Sequence, residues 1–119
     1  MGLRLTSVTV GCARPRELAE FYARLLDAPV SAAEPEWAQV RTRDGLTVNF
    51  ELEREFTAPV WPSEPGAQNA TQHLDIEVDD LAAATEHAVA CGAVLARVQP
   101  QADVRVLLDP DGHPFCLFT

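Results

Sequence analysis

The side chains with chemistry to offer sit at alternating positions of a few short apolar runs. Across residues 72–78, His73, Asp75 and Glu77 share one face, and Leu74, Ile76 and Val78 share the other. The same parity puts Ser7 and Thr9 opposite Val8 and Val10, and gathers Asn49, Glu51 and Cys116 with the polar set. His73 can act as a metal ligand or general base, or simply line a pocket as a hydrogen-bonded imidazole. Glu51 can act as a ligand or base if it is desolvated, or stay solvated on an open sheet face. A contact between Glu51 and His73 would support acid–base work. Asp75 and Glu77 add negative potential that would attract a cationic ligand, or form a solvated rim. Cys116 is read as a small hydrophobe, because a reactive thiol needs a lowered pKa and a nearby Glu51 would oppose that. Trp37 could stack on a ligand or pack in a core or dimer contact. Arg105 is the one cation placed as a candidate in the same cleft.

The elements that must hold these groups follow from periodicity. A strand is expected over residues 3–12. Pro15 then opens a helix whose stripe is Leu18, Phe21, Tyr22, Leu25 and Leu26, ending near Asp27 before Pro29. Three strands follow, at about 30–33, 36–42 and 46–53, with Asp44-Gly45 as a hairpin turn. Residues 54–71 hold Pro59, Pro62, Pro65 and Gly66 and read as a linker, with Trp61 packing it onto the body or onto a neighbouring subunit. The pattern then restarts. After the strand at 72–78, Asp79 or Asp80 caps a helix striped by Leu81, Ala84, Ala88 and Cys91, and Gly92 ends it. Strands at about 93–98, 103–108 and 113–118 complete the chain, the last two joined by the turn Asp109-Pro110-Asp111-Gly112. His113 is expected to cap or pack that turn, and His87 to be solvated.

The order is therefore βαβββ, linker, βαβββ. Ser7-Val8-Thr9-Val10 and His73-Leu74-Asp75-Ile76 correspond at an offset of 66 residues, and Phe50-Glu51-Leu52 and Phe115-Cys116-Leu117 at 65. We read a single α+β domain of two βαβββ modules, about 1–53 and 72–119, forming a cupped mixed sheet around a cleft. Each half-sheet alone would leave its polar face uncovered. Two such faces turned toward each other, within one chain or across a dimer, would enclose a small-molecule site.

Composition narrows the partners. The chain has 119 residues, with 9 basic and 18 acidic side chains and a net charge of −9, which disfavours nucleic acid and anionic membranes. No apolar run reaches the roughly 18 residues of a membrane span. The three cysteines, Cys12, Cys91 and Cys116, form no CxxC pair, which fits a reducing, cytoplasmic setting, with Cys12 and Cys91 in the core. Motifs for nucleotide binding, HExxH metalloproteases and serine hydrolases are absent.

The element order, Glu17-Leu18-Ala19-Glu20-Phe21-Tyr22, the run from Gln72 to Leu81, and Asp109-Pro110-Asp111-Gly112-His113-Pro114-Phe115-Cys116 together resemble the vicinal-oxygen-chelate superfamily. That group includes glyoxalase I, bleomycin-resistance proteins and extradiol dioxygenases. The resemblance is closest to the small glyoxalase-like domains common in actinobacteria, and it spans nearly the whole chain. It implies a metal site drawn from four strands, at positions that here are Ser7, Glu51, His73 and Cys116. Only Glu51 and His73 are of the usual His or Glu type. Glu51, His73 and Cys116 with water would make a four-coordinate zinc site, but a hydroxyl and a thiol are poor partners for Mg²⁺, Mn²⁺ or Fe²⁺. The departure counts against glyoxalase I or dioxygenase activity, and a divalent metal is disfavoured as cofactor. The resemblance thus implies a small-molecule-binding protein, expected to be a homodimer, with Ser7, Trp37, Asn49, Glu51, His73, Asp75 and Cys116 at its site. It would sequester an antibiotic-like or cationic ligand without turnover. The alternative is a lyase, isomerase or dioxygenase-type enzyme using Glu51 and His73 as catalytic groups, with or without a metal.

Overall fold

The computed structural model describes all residues, Met1–Thr119. The chain divides into two compact units, Met1–Phe56 and Thr57–Thr119. Each is an α+β βαβββ module, with one helix against a four-stranded mixed sheet. No helix is long and apolar enough to cross a membrane.

In the first unit the elements are β1 (Ser7–Cys12), α1 (Pro15–Leu26), β2 (Val30–Ala33), β3 (Trp37–Arg41) and β4 (Thr47–Leu52). The sheet order is β1-β4-β3-β2, with β1 parallel to β4 and the other pairs antiparallel. Pro15 starts α1, where its missing N–H costs nothing. The helix ends at Asp27, which takes a left-handed conformation (φ 49°) and lets the Ala28 N–H reach the Ala23 carbonyl. Leu18, Phe21 and Tyr22 are buried under it. Tyr22 stacks on Phe50 of β4 with ring centroids 5.3 Å apart, and meets Phe21 edge-on at 4.8 Å. Such pairs add about 0.5–1.5 kcal/mol beyond the area they bury. They fix which face of the sheet α1 covers, namely the one bearing Val48, Phe50, Ala38 and Val40.

In the second unit the elements are β5 (Leu74–Glu77), α2 (Leu81–Cys91), β6 (Val94–Leu95), β7 (Val104–Leu108) and β8 (Pro114–Phe118), in the order β5-β8-β7-β6. Asp80 caps α2 by accepting the Ala83 N–H at 3.0 Å, and Gly92 (φ 122°) ends it. Phe115, Leu117 and Leu107 are fully buried on the face that α2 covers. At the β7–β8 turn, the buried Asp109 carboxylate accepts the Asp111 and His113 N–H groups, each at 3.0 Å. It also lies 2.8 Å from His113 Nδ1, so His113 does pack the turn.

Several strands are shorter than periodicity suggested, β1 and β6 by the most. β1 begins at Ser7 because its partner β4 begins at Thr47; Leu3 and Leu5 have no strand beside them and are 81% and 86% exposed. β6 stops at Leu95, short of the expected 93–98, because Gln99 takes over the ladder. Its Oε1 accepts the Val106 N–H and its Nε2 donates to the Val106 and Ala96 carbonyls, all at 2.9 Å. A side-chain amide thus does the work of a strand backbone. Cys12 is buried as expected, but Cys91 is not a core residue. It lies half-buried at the end of α2, its Sγ 3.8 Å from His87 Nε2 at the i−4 position.

Candidate functional site

In the first unit the face away from α1 carries Ser7 and Thr9 of β1, Asn49 and Glu51 of β4, and Trp37 and Gln39 of β3. Register makes Trp37 the direct neighbour of Glu51 and Gln39 the neighbour of Asn49. A chain of side-chain bonds crosses all four strands. Ser31 Oγ donates to Gln39 Oε1 at 2.7 Å, Gln39 Nε2 to Asn49 Oδ1 at 2.8 Å, and Asn49 Nδ2 to Thr9 Oγ1 at 3.3 Å. This chain satisfies Asn49, which is 9% exposed. Beside it, Trp37 is half-buried and Glu51 is exposed.

In the second unit β5 and β8 run parallel, with Asp75 opposite Cys116. Parallel partners leave the sheet on the same side, so the carboxylate and the thiol are neighbours by construction. His73, two residues before Asp75, projects to that side as well. Its Nδ1 lies 2.9 Å from Asp75 Oδ1. One donor atom each of His73, Asp75 and Cys116 fall within 4.8 Å of one another. His73 and Asp75 are exposed, and Cys116 is half-buried.

These three side chains line a cavity of about 340 Å³ with Asp103, Val104 and Phe118. No arginine lines it. The face is less hydrophilic than expected. Its polar groups sit on the edge strand β5, while β7 and β8 supply Val104, Val106 and Phe118 as an apolar floor. Burial against that floor pushes the Cys116 thiol up from its ordinary value of 9.0, and the Asp75 carboxylate pushes it further by charge and by a hydrogen bond. Cys116 is therefore a protonated thiol near neutrality.

The structure separates the expected site residues by unit. Ser7, Trp37, Asn49 and Glu51 share one face of the first, and His73, Asp75 and Cys116 meet in the second. Arg105 is not the cation of this site. It pairs with Leu117, on the side away from Cys116, and its Nη1 donates to the Gln101, Ala102 and Val104 carbonyls. Alternation within β7 carries the signal, since Val104 and Val106 share the Cys116 side, but only the pairing with β8 makes it readable. Asp103 was not anticipated. Its position just before β7 puts it at the rim, and nothing in the local sequence marks that.

The family model for a glyoxalase-like domain matches residues 7–118. No curated protein matches the sequence. Among solved structures, the chain is similar to a glyoxalase/bleomycin resistance protein/dioxygenase family enzyme from Burkholderia phytofirmans PsJN (TM-score 0.72, 17% identity, covering 97% of each chain). It is also similar to a glyoxalase-related enzyme from Fulvimarina pelagi (TM-score 0.71, 20% identity, covering 97% of this chain and 86% of that one). A third is the fosfomycin resistance protein FosX from Listeria monocytogenes, in complex with Mn(II) and 1S,2S-dihydroxypropylphosphonic acid (TM-score 0.73, 14% identity, covering 99% and 90%). At these identities the likeness is one of fold.

Proposed function

The chain belongs to the glyoxalase-like domain family of the vicinal-oxygen-chelate superfamily, and we propose that within it this protein binds a small organic cation without turning it over. The observation that carries the reading is the cavity of the second unit. Two carboxylates, Asp75 and Asp103, stand over an apolar floor of Val104 and Phe118, with no arginine in the lining and His73, beside Asp75, its one basic side chain. Such a cavity attracts a positively charged molecule with an apolar body and repels an anion. In the first unit, Trp37 beside Glu51 offers an aromatic face next to a carboxylate, a pairing worth about 0.5–2 kcal/mol toward a cation.

The donor set supports binding without turnover. The positions that supply ligands in metal-using members are Ser7, Glu51, His73 and Cys116 here. A hydroxyl and a sulfur donor do not fit a hard divalent ion, which prefers oxygen and imidazole ligands. The FosX complex holds a phosphonate, an anion that this cavity would repel. One observation favours the enzyme alternative. The His73–Asp75 contact would fix the imidazole with its Nε2 outward, as a general base requires.

Calorimetric titration of chelator-treated protein with metal-free bleomycin, a simple quaternary ammonium compound and fosfomycin separates these readings. Saturable binding of a cation is expected, weaker in high salt and weaker in Asp75→Asn, with the ligand recovered unchanged by mass spectrometry. Tighter binding of the phosphonate, or a chemically altered ligand, overturns the proposal.

A further inference from the structure

The mismatch between this chain's donors and a hard-ion site has a positive side. We infer that His73, Asp75 and Cys116 form a metal site of their own within the second unit, suited to a thiophilic divalent ion such as Zn²⁺ and independent of Ser7 and Glu51. The inference stands on geometry imposed by the backbone. The parallel register sets Asp75 against Cys116, and strand alternation brings His73 to the same side. One nitrogen, one oxygen and one sulfur donor lie within 4.8 Å of one another at the mouth of a cavity.

A tetrahedral zinc ion with bonds of about 2.0–2.3 Å sets its donors roughly 3.3–3.7 Å apart. Donors that lie up to 4.8 Å apart must therefore close by about 1–1.5 Å. Two of them, His73 and Asp75, are exposed side chains that can rotate to do so. The 2.9 Å hydrogen bond between them holds the imidazole and carboxylate side by side, and it opens when both bind the ion. The sulfur selects against Mg²⁺ and Ca²⁺, which take oxygen ligands. The charges balance as well, since one carboxylate and one thiolate neutralise a divalent ion. On binding, the Cys116 S–H bond breaks, its proton passes to solvent and a sulfur–metal bond forms; nothing is oxidised or reduced. Three protein donors leave a fourth position open to water or a ligand atom, the arrangement in which zinc acts as a Lewis acid.

This inference does not rest on the organic-cation reading. The two bear on each other in one way: a bound ion would cancel the Asp75 charge and weaken the cation's hold on the cavity. The test is a titration of the full chain with Co²⁺, read by the thiolate-to-cobalt charge-transfer band and the visible bands of a tetrahedral site. The expected result is one Co²⁺ per chain, displaced by Zn²⁺. The charge-transfer band should be lost in Cys116→Ser, and affinity should fall at least tenfold in Asp75→Asn, both variants keeping the wild-type circular dichroism. Three results overturn the inference: no saturable binding, a band that survives Cys116→Ser, or binding lost in Glu51→Gln. The last would show the ion held by the four-strand set of the superfamily. Because the readout is spectroscopic and uses metal alone, its failure is distinct from a failure to bind organic cations.

Discussion

Replacing Asp109 by alanine should unfold the second unit far more easily than its place in a surface turn suggests. The carboxylate is buried and is the acceptor for the N–H groups of Asp111 and His113 and for the His113 ring. Alanine leaves those donors without the partner the turn was built around. At about 1–3 kcal/mol for each backbone donor left unsatisfied, the cost is about 2–5 kcal/mol. That is a large share of the roughly 5–15 kcal/mol that stabilises a typical domain. Asp109→Asn keeps an acceptor at one oxygen but loses the charge that strengthens the bonds, so about half the loss is expected. Trp61 lies in the second unit and Trp37 in the first. A Trp37→Phe background therefore makes tryptophan fluorescence report on the second unit alone. Urea denaturation in that background should show a lower midpoint with an unchanged slope. A loss under about 0.5 kcal/mol for alanine, or equal losses for alanine and asparagine, would refute the assignment of the carboxylate as the organiser of the turn.

Three further outcomes follow from the same unit. Gly112 has φ 97°, and a Cβ there would stand 2.9 Å from the Ala58 Cβ, so Gly112→Ala should cost about 1–3 kcal/mol. Ala58→Gly should restore only the steric part, leaving the backbone strain visible in a double-mutant comparison by thermal denaturation. In metal-free protein, Asp75→Asn should speed alkylation of Cys116, because it removes the charge that, with burial, holds the thiol protonated. Rates measured by mass spectrometry after iodoacetamide treatment that fail to rise would contradict the placement of Asp75 against the sulfur. The sign for stability is fixed too. A thiol raised in the folded state favours folding at every pH below its unfolded value near 9.0, and that contribution is lost as pH climbs through the folded value. Asp75→Asn should flatten the alkaline fall seen in pH-dependent melting.

Much of the architecture was legible because it rests on local chemistry. Alternation assigned Val8, Val10, Leu74 and Ile76 to one side and Ser7, Thr9, His73 and Asp75 to the other, since a strand must turn successive side chains to opposite faces. Pro15, Asp80 and Gly92 marked helix ends through their own backbone and side-chain bonding. The repeat disclosed two like modules, and with them the family. What residue order could not settle was pairing between segments far apart in the chain. Asp75 and Cys116 are neighbours only because β5 lies parallel to β8, which sets half-buried Leu74 and Ile76 beside the buried Phe115 and Leu117. The same pairing turned Arg105 away from the cavity and brought Asp103 to it. Gln99 could replace a strand backbone only once the path beyond Leu95 had brought its amide to Val106. Type and face are properties of a short segment and are written in its residues. Register and company are set by which apolar surfaces find each other in the folded chain, and the His73–Asp75–Cys116 cluster belongs to that second kind.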